Sequence, residues 1–395
     1  RDSSIILTSF KNQIKRINSL GYLRTRSVIN VEKSTKVNLG NKIVTSFLSN
    51  DYLGMSKNRI IITELKKSAN AHGIGSGSSP LISGYSESHH YLEKEIAEYL
   101  NAESCLVVNS GYMANLCLLN IFDQEMNVVQ DRQSHNSIIE SSKINKIKIN
   151  RYKHLDNAHL EKHLRNGKQD IIFSESVFSM SGDATNIKEH YKLKKNYKSF
   201  LFVDDAHGFG IAKCKVKNNS IENSCSSFNI KISNIDAYMG TFGKAVGTLG
   251  AFICGNKDLI DMVVQKGRPY IYSTALPRCI IDATRKSLEI LATNKTRYNK
   301  LHSNISYFNK QSLKKDMAFN LTESPIKTYL IGDPHSTLSI RDKLLKEGIM
   351  VQAIRYPTVP RKHDKLRVTL TSDHTKKDID ILLDTLENIH CEKSK

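Results

Sequence analysis

The stretch Ala237-Tyr-Met-Gly-Thr-Phe-Gly-Lys244 runs from a strand-like apolar segment directly into a lysine, and the glycine-rich Gly247-Thr-Leu-Gly250 follows it. A turn of this kind holds a lysine in a fixed position. An amine that attacks a carbonyl carbon must be deprotonated part of the time, and burial or a nearby cation lowers its pKa toward that condition. A lysine alone is weak evidence, because the chain has 58 lysines and arginines and most such side chains lie in solvent.

Strand-like apolar runs recur along the chain and alternate with helical patterns. The runs are Cys105–Asn109, Val128–Asp131, Ile171–Glu175, Leu201–Asp204, Ala237–Gly240 and Ala251–Cys254, and the helical patterns between them include Tyr112–Phe122, Ala158–Arg165 and Tyr191–Tyr197. This alternation predicts βαβ units and an α/β fold with a mostly parallel sheet flanked by helices. In such sheets ligands bind outside the carboxyl ends of the strands, so we expect the site residues there.

The pattern changes after about residue 280. A long helical pattern, Pro277–Thr293, leads into the shorter strand-like segments Thr328–Ile331, Met350–Ile354 and Leu366–Thr371 and the helical segments Ser339–Glu347 and Lys376–Ile389. We therefore predict three parts, namely an N-terminal arm and helix over residues 1–45, a large domain over 46–280 and a smaller α+β domain over 281–395.

The composition excludes several classes of protein. Hydrophobic residues make up 39% and charged residues 25% of the 395, as in ordinary soluble proteins. The absence of a long apolar run argues against a membrane span, and the first residues lack a signal-peptide pattern. The seven cysteines are scattered and form no C-x-x-C pair, which argues against a disulfide framework or a metal site and for the cytoplasm.

The net charge of +19 has two interpretations. Lysine is spread along the whole chain beside many isoleucines and asparagines, which favours background composition on a solvated surface. The alternative is an acidic protein partner. We expect no nucleic-acid binding, because no basic cluster with interleaved aromatic residues occurs.

A second motif supports the lysine. Phe202-Val-Asp204-Asp-Ala-His207-Gly ends a predicted strand. An acid there can pair with a protonated pyridine nitrogen, which makes the ring an electron sink for carbanion chemistry. His207 can reach the phenolic oxygen of the same ring. Taken without Lys244, the motif would be an ordinary acidic residue capping a turn.

Further pieces follow in the order in which one cofactor site would be assembled. Asn109-Ser-Gly111-Tyr112 ends a strand and opens a helix, whose N-terminus offers N–H groups to a phosphate. His135, in Asp131-Arg-Gln-Ser-His135, can stack flat on a ring. The strand-end Glu175 comes next, and Ser273-Thr274 follows Lys244. The set predicts a pyridoxal 5'-phosphate site with Lys244 as the Schiff-base lysine.

At this point the sequence resembles a known family, the α-oxoamine synthases, which are pyridoxal-phosphate enzymes of fold type I that condense an amino acid with an acyl thioester. The motifs that carry the resemblance are Asn50-Asp-Tyr-Leu-Gly54, Gly73-Ile-Gly-Ser-Gly77, Ser83-Gly-Tyr-Ser86, Glu175-Ser-Val-Phe-Ser179-Met-Ser-Gly-Asp183, Val203-Asp-Asp-Ala-His-Gly208, Thr241-Phe-Gly-Lys244, Tyr272-Ser-Thr274 and Ile354-Arg-Tyr-Pro-Thr-Val-Pro360. The last of these, with Leu366-Arg367-Val-Thr-Leu-Thr-Ser-Asp-His374, looks most like the biotin-pathway subfamily, the 8-amino-7-oxononanoate synthases.

The resemblance implies a role for each matching residue. Catalysis would rest on Lys244, Asp204, His207 and His135. The phosphate would be held by Ser110, Gly111, Tyr112 and Thr241, with Thr274 reaching in from the partner subunit of a homodimer with shared active sites. Ser179 would line the ring and Glu175 would support the site. The substrate side would hold Arg367 for the amino-acid carboxylate, together with Asn50 and Arg24, for which Arg26 is the alternative.

The implied reaction is the decarboxylative condensation of L-alanine with a pimeloyl thioester, presented on coenzyme A or on an acidic acyl carrier protein. Sibling enzymes that use glycine with acetyl- or succinyl-CoA, or serine with a long acyl-CoA, are the nearest alternatives. A non-catalytic basic binding protein on the same fold is the remote one. The chain departs from the family at Ser78 and Pro80 and over Lys213–Asn219, which affects the expected acyl-donor contacts and not the cofactor site.

Overall fold

The structure is a computed structural model, and it describes residues 3–33, 35–167, 170–214 and 219–393. Within the departure at Lys213–Asn219, residues 215–218 therefore lie outside the described residues. In the part of the chain that is described, no helix is long and apolar enough to cross a membrane.

The strands that the structure describes carry the following bounds. They are β1 (Asn30–Lys33), β2 (Lys36–Leu39), β3 (Lys42–Ser46), β4 (Ser104–Val108), β5 (Asn127–Asp131), β6 (Lys148–Tyr152), β7 (Ile171–Glu175), β8 (Phe200–Asp204), β9 (Ala237–Thr241), β10 (Ala251–Gly255), β11 (Ile326–Leu330), β12 (Ile349–Met350), β13 (Gln352–Ile354) and β14 (Lys365–Thr369). All six strands predicted in the first 280 residues are present to within one residue at each end, and β1, β2, β3 and β6 are additional.

The α-helices lie between and around these strands. They are α1 (Ser3–Ser19), α2 (Arg59–His72), α3 (Glu87–Leu100), α4 (Gly111–Asn120), α5 (Asn136–Ile144), α6 (Asn157–Asn166), α7 (Ile187–Tyr197), α8 (Lys257–Lys266), α9 (Arg268–Tyr272), α10 (Arg278–Thr293), α11 (Thr296–Lys314), α12 (Pro334–Lys346) and α13 (Lys376–Lys393).

The chain forms two compact units, and the larger one holds residues 50–179 and 183–302. Its seven-stranded sheet has the order β4-β10-β9-β8-β7-β5-β6. Only β10 runs antiparallel to its neighbours, so β4, β5, β6, β7, β8 and β9 all point the same way. The mostly parallel sheet predicted from the sequence is confirmed.

The sequence of the central strands explains their position. Every residue of β7 and of β9 is buried, which is typical of parallel strands covered by helices on both faces. One face packs on α4, whose Cys117, Leu118 and Leu119 are fully buried against the sheet. The edge strand β6 is mostly polar and partly exposed, which is why its sequence lacks an apolar run.

The smaller unit comprises residues 1–49, 180–182 and 303–395. It contains a four-stranded sheet of order β1-β2-β3-β12 and a three-stranded sheet of order β11-β14-β13. A buried stack of Phe47 on His374, with ring centroids 4.2 Å apart, links its N-terminal and C-terminal segments.

The units divide the chain differently from the domain boundaries expected at residues 45 and 280. Helix α10 belongs to the larger unit because it packs on α2 and α3. Ser68 of α2 donates to Asp282 at 2.5 Å, and Arg285 of α10 pairs with Glu95 of α3 at 2.6 Å. The N-terminal arm joins the smaller unit because β3 pairs in parallel with β12.

Candidate active site

Five strands of the large sheet end on the same edge, and each one leads into a residue that the sequence singled out. Ser110 follows β4, His135 follows β5, Glu175 ends β7, Asp204 ends β8 and Thr241 ends β9. Because these strands share one direction, their carboxyl ends meet at one edge of the sheet. Lys244 follows three residues after β9.

Two buried acids, Glu175 and Asp204, are register partners on neighbouring strands. Asp204 accepts hydrogen bonds from the Asn115 side chain and from the Ala206 N–H, both at 3.0 Å. Burial raises the pKa of Glu175 well above its usual range, and the negative charge of Asp204 raises it further. We infer that Glu175 is the acid of the pair that takes up a proton more readily, because burial and the charge of Asp204 both raise its pKa.

Asn115 links Asp204 to His135 through one further side chain. The Asn115 Nδ2 group donates to Asp204 at 3.0 Å and to the Ser137 hydroxyl at 2.8 Å. The Ser137 hydroxyl lies 2.8 Å from His135 Nδ1, which also accepts from the Ser137 N–H at 3.2 Å. Nδ1 is therefore an acceptor, so the proton of the neutral ring lies on Nε2.

The environment of His135 keeps its ring neutral and fixed. Burial lowers the pKa of His135; the Asp204 charge opposes this change and the Lys244 charge adds to it. The backbone N–H of His135 donates to Glu175 at 2.8 Å. Helix α5 begins at the next residue, so the ring stands at a constrained helix start.

His207 is oriented by a tyrosine from the beginning of the larger unit. The Tyr52 hydroxyl lies 2.7 Å from His207 Nδ1 and 3.4 Å from Asn50 Oδ1. The first distance is a normal hydrogen bond and the second is too long for a strong one, so we place the hydroxyl proton toward His207. Nε2 of His207 then keeps its own proton and can donate to an oxygen.

The turn after β4 has the shape of a phosphate cradle. Ser110 caps α4 by accepting from the Met113 N–H at 3.2 Å, and the first N–H groups of this ten-residue helix have no partner within the helix. A Cβ on Gly111 would lie 2.7 Å from Cγ2 of Thr241, so only glycine fits against that side chain. Tyr112, the next residue, has an exposed side chain.

The backbone of a tight turn fixes Lys244, whose side chain is partly buried. The Gly247 N–H donates to the Lys244 carbonyl at 2.9 Å, and Phe242 exchanges hydrogen bonds of 2.8 Å with Thr248 and Gly250. Burial and Asp204 raise the pKa of Glu175, whereas the positive charge of Lys244 opposes that rise. The lysine thus acts electrostatically on both Glu175 and His135.

These residues fit pyridoxal 5'-phosphate. Gly111 packs closely on Thr241, which brings the first turn of α4, with its backbone N–H groups, beside that side chain. The site also offers a carboxylate for a ring nitrogen, a neutral imidazole (His135), a second imidazole that Tyr52 orients (His207) and an amine (Lys244). In the described ranges, no group of three or more His, Cys, Asp or Glu side chains could hold a metal ion.

The other predicted site residues have the following places. The Ser179 N–H helps to bind Glu175, and it lowers the pKa of that acid against the effect of burial. Thr274 lies next to the phosphate turn of its own chain, because its carbonyl accepts from the Asn109 side chain at 2.8 Å. Arg367 and Arg24 belong to the smaller unit, where Arg367 is buried on β14 beside Thr369 and Arg24 is exposed.

Sequence reasoning missed the residues that orient this site, namely Tyr52, Asn115, Ser137 and Asp205. Tyr52 lies inside the motif Asn50-Asp-Tyr-Leu-Gly54 and Asn115 lies on the helix after the Gly111 turn, but their partners are 155 and 89 positions away. Asp205 is buried and accepts from Tyr238 at 2.7 Å and from the Ser224 N–H at 2.8 Å, so it anchors the turn beside Asp204. The repeated acid in Asp204-Asp205 was the available signal.

Known proteins are similar to this chain over most of its length. A model of the family described as aminotransferase class I and II matches residues 42–386. The 8-amino-7-oxononanoate synthase of Saccharophagus degradans is 34% identical over 387 residues, covering 94% of this chain and 96% of the relative. The protein of the same name from Thioalkalivibrio sulfidiphilus is 32% identical, covering 96% of this chain and 97% of the relative.

Two solved structures are also similar to this chain. The 8-amino-7-oxononanoate synthase from Francisella tularensis has a TM-score of 0.78 at 27% identity, covering 89% of this chain and 99% of that one. Serine palmitoyltransferase from S. paucimobilis has a TM-score of 0.88 at 24% identity, covering 98% of both chains. This second likeness concerns the fold alone.

Proposed function

The chain belongs to the class I and II aminotransferase family and, within it, to the 8-amino-7-oxononanoate synthases, and from that membership we propose its reaction. It is an acyltransferase that condenses L-alanine with a pimeloyl thioester to give 8-amino-7-oxononanoate, CO2 and free thiol, in biotin biosynthesis. The observation that supports this proposal best is a series of hydrogen bonds that runs from Asp204 through Asn115 and Ser137 to His135. It lies at the edge of the sheet where β9 leads to Lys244.

Pyridoxal 5'-phosphate, when bound, supplies an electron sink for the electrons left at Cα of the amino acid. Lys244 would hold it covalently, Asp204 would face its ring nitrogen and His207 its phenolic oxygen. His135 would cover one face of the ring. The N-terminus of α4 and Thr241 would hold the phosphate.

The residues of the chain then move and balance the protons. Lys244 Nζ removes the proton from Cα of alanine and later returns a proton to the same carbon, after the acyl transfer and the loss of CO2. The raised pKa of Glu175 makes that acid the one that takes up a proton, while Asp204 is held in place by the hydrogen bonds that it accepts from Asn115 and Ala206. The charge of Asp204 stabilises a protonated ring nitrogen throughout.

Turnover of purified protein with pyridoxal phosphate, L-alanine and pimeloyl-CoA tests this function. We expect release of free thiol with the product identified by mass, and no product from Lys244→Ala. Glycine and L-serine, with acetyl-, succinyl- and palmitoyl-CoA, test the sibling activities. A higher kcat/KM for any of these pairs than for alanine with pimeloyl-CoA would overturn the proposal.

We also propose a homodimer, on the basis of an exposed apolar patch next to the phosphate turn. Ile74, Ile82 and Tyr272 are 83%, 79% and 76% exposed, and exposed apolar side chains that lie together mark interaction surfaces. Their segments are joined, because the Ala275 N–H donates to the Ser78 carbonyl at 2.9 Å. A twofold partner that covers this patch would complete the site.

Sedimentation tests the dimer. We expect twice the chain mass of 44.6 kDa for the wild type and 44.6 kDa with loss of cofactor for Ile82→Glu. A wild-type monomer that turns over normally would refute it.

Two finer points complete the proposal. A cytoplasmic location fits the free thiols of the six described cysteines. A net charge of +19 suits an acidic acyl carrier protein as the donor in place of free CoA.

If a carrier is the donor, we expect kcat/KM for the carrier-bound pimeloyl group to fall steeply as the salt concentration rises. A kcat/KM that does not change with salt would exclude it.

A further inference from the structure

His154, which has no place in the chemistry above, lies between two carboxylates. Its Nδ1 is 2.9 Å from Asp131 and its Nε2 is 3.1 Å from Asp183. A carboxylate only accepts hydrogen bonds, so both ring nitrogens must donate, and imidazole does this only as the imidazolium ion. Burial by itself lowers the pKa of His154, but the hydrogen bonds and charges of Asp131 and Asp183 outweigh it and raise the pKa to about 9.

The first carboxylate, Asp131, builds the turn that leads to His135. It is the last residue of β5 and is buried. Its Oδ1 accepts from the Gln133 N–H at 2.7 Å, and its carbonyl accepts from the Ser134 N–H at 3.2 Å. Any movement of Asp131 would therefore move the start of α5, where His135 stands.

The second carboxylate, Asp183, supports the segment after Glu175. Its carbonyl accepts from the Phe178 N–H at 2.9 Å. Phe178 is buried, and the edge of its ring meets the His154 ring at a centroid distance of 4.6 Å. Ser179 is the next residue. His154 thus contacts this segment through both an ion pair and an aromatic ring.

The backbone around His154 is strained, and Asp131 holds it in place. Leu155 has a φ of +55°, a left-handed conformation that is unfavourable for a bulky side chain. The Leu155 N–H donates to Asp131 Oδ2 at 2.8 Å. Strain that persists in a folded chain marks a position fixed by its surroundings.

We propose that the His154 imidazolium is a positioning residue, which locks the turn carrying His135 to the segment carrying Ser179. The inference rests on the proposed function for the roles of His135 and Ser179. Glu175 also joins the two segments, because it accepts from the His135 N–H and from the Ser179 N–H. Removal of the imidazolium would let them move apart and would loosen the face of the cofactor site that His135 covers.

The charged groups around His154 predict the direction of its pH dependence. Asp131 and Asp183 face its ring directly. Tyr152 and His190 also lie near Asp131. Burial raises the pKa of Tyr152 and lowers the pKa of His190 to about 4. Both side chains therefore stay neutral while His154 titrates. Folding raises the pKa of His154 above its ordinary value of 6.5, so the ring is charged and the lock is complete at any pH below 6.5. It is lost as the pH rises through about 9.

Hydrogen exchange of the full chain, with and without pyridoxal phosphate, tests the lock. His154→Gln keeps one donor and loses the charge. We expect about tenfold faster exchange in both residues 131–136 and residues 176–179, and about tenfold weaker binding of pyridoxal phosphate. His163→Gln, a change on α6 at a histidine whose ring neighbour is His159, is the matched control and should alter neither.

A second variant separates the two halves of the lock. Asp183→Asn should loosen residues 176–179 and leave 131–136 protected, because the Asp131 half remains. If His154→Gln changes exchange only near residues 152–156, or leaves the cofactor affinity at the wild-type value, the inference is wrong. Exchange does not depend on turnover, so loosened segments in a protein that makes no product would contradict the proposed function and not the lock.

Discussion

The Tyr52 hydroxyl and Nδ1 of His207 are 2.7 Å apart, and both side chains are buried. A buried hydroxyl that donates to one ring nitrogen decides which nitrogen keeps the proton. Here it leaves the proton on Nε2, the nitrogen that we propose donates to the phenolic oxygen of the cofactor. Tyr52 therefore controls His207 although it performs no chemistry itself.

Replacement of Tyr52 by phenylalanine tests this control. Because His207 loses the bond that fixes its tautomer, we expect Tyr52→Phe to lower kcat about tenfold with little change in the KM for alanine. The visible absorbance of the bound cofactor should shift as well. Tyr298→Phe, at a half-buried tyrosine whose hydroxyl is 3.4 Å from the Ala212 carbonyl, should behave as wild type. An unchanged kcat and spectrum for Tyr52→Phe would refute the assignment.

Asn115 should matter because a single amide orients two site residues. Asn115→Ala removes the donor to Asp204 and the donor to Ser137, so we expect a loss of about 10- to 100-fold in kcat and weaker cofactor binding. Asn120→Ala, at the last residue of the same helix, is the control for helix stability. Equal effects of the two changes on turnover would show that Asn115 acts only through folding.

The phosphate cradle allows a test with a built-in rescue. Gly111→Ala places a Cβ 2.7 Å from Thr241 Cγ2, so we expect a loss of affinity for pyridoxal phosphate of about tenfold or more. Adding Thr241→Ser removes that methyl group and keeps the hydroxyl, and should restore part of the affinity. Full affinity in the single Gly111→Ala variant would contradict the cradle.

A buried lysine in the smaller unit predicts how stability depends on pH. Burial lowers the pKa of Lys327, on β11, to about 7. A lysine whose pKa is lower in the folded than in the unfolded state favours unfolding while it is protonated, so stability is reduced at low pH and rises as the pH increases from about 7 toward the ordinary lysine value. Lys327→Met should raise the melting temperature at pH 7 and flatten this rise, as thermal unfolding at several pH values would show. A lower melting temperature for Lys327→Met at neutral pH would contradict the assignment.

Most of the large sheet could be predicted from the sequence because its central strands are continuous apolar runs. The phosphate turn, Asp204, His207 and Lys244 could be predicted as well, since each directly follows such a run. The edge strand β6 could not, because an exposed strand with lysine and arginine carries no apolar signal. The short strands β1, β2 and β3 were missed for the same reason.

The supporting contacts of the site depend on tertiary structure. Nothing in the sequence around Tyr52 or His207 indicates that they meet, since 155 positions separate them. The same holds for His154 and Asp183, which only the turns after β6 and β7 bring together. Such pairs become visible when the parallel strands place distant loops at one edge.

Reduction of the cofactor-loaded protein with borohydride, followed by mass spectrometry of its peptides, tests the central claim most directly. Our account predicts that the visible absorbance band disappears and that the phosphopyridoxyl group is found on the peptide containing Lys244. Lys244→Ala should show neither. A group on another of the many lysines, or no modified peptide after loading with pyridoxal phosphate, would contradict the account.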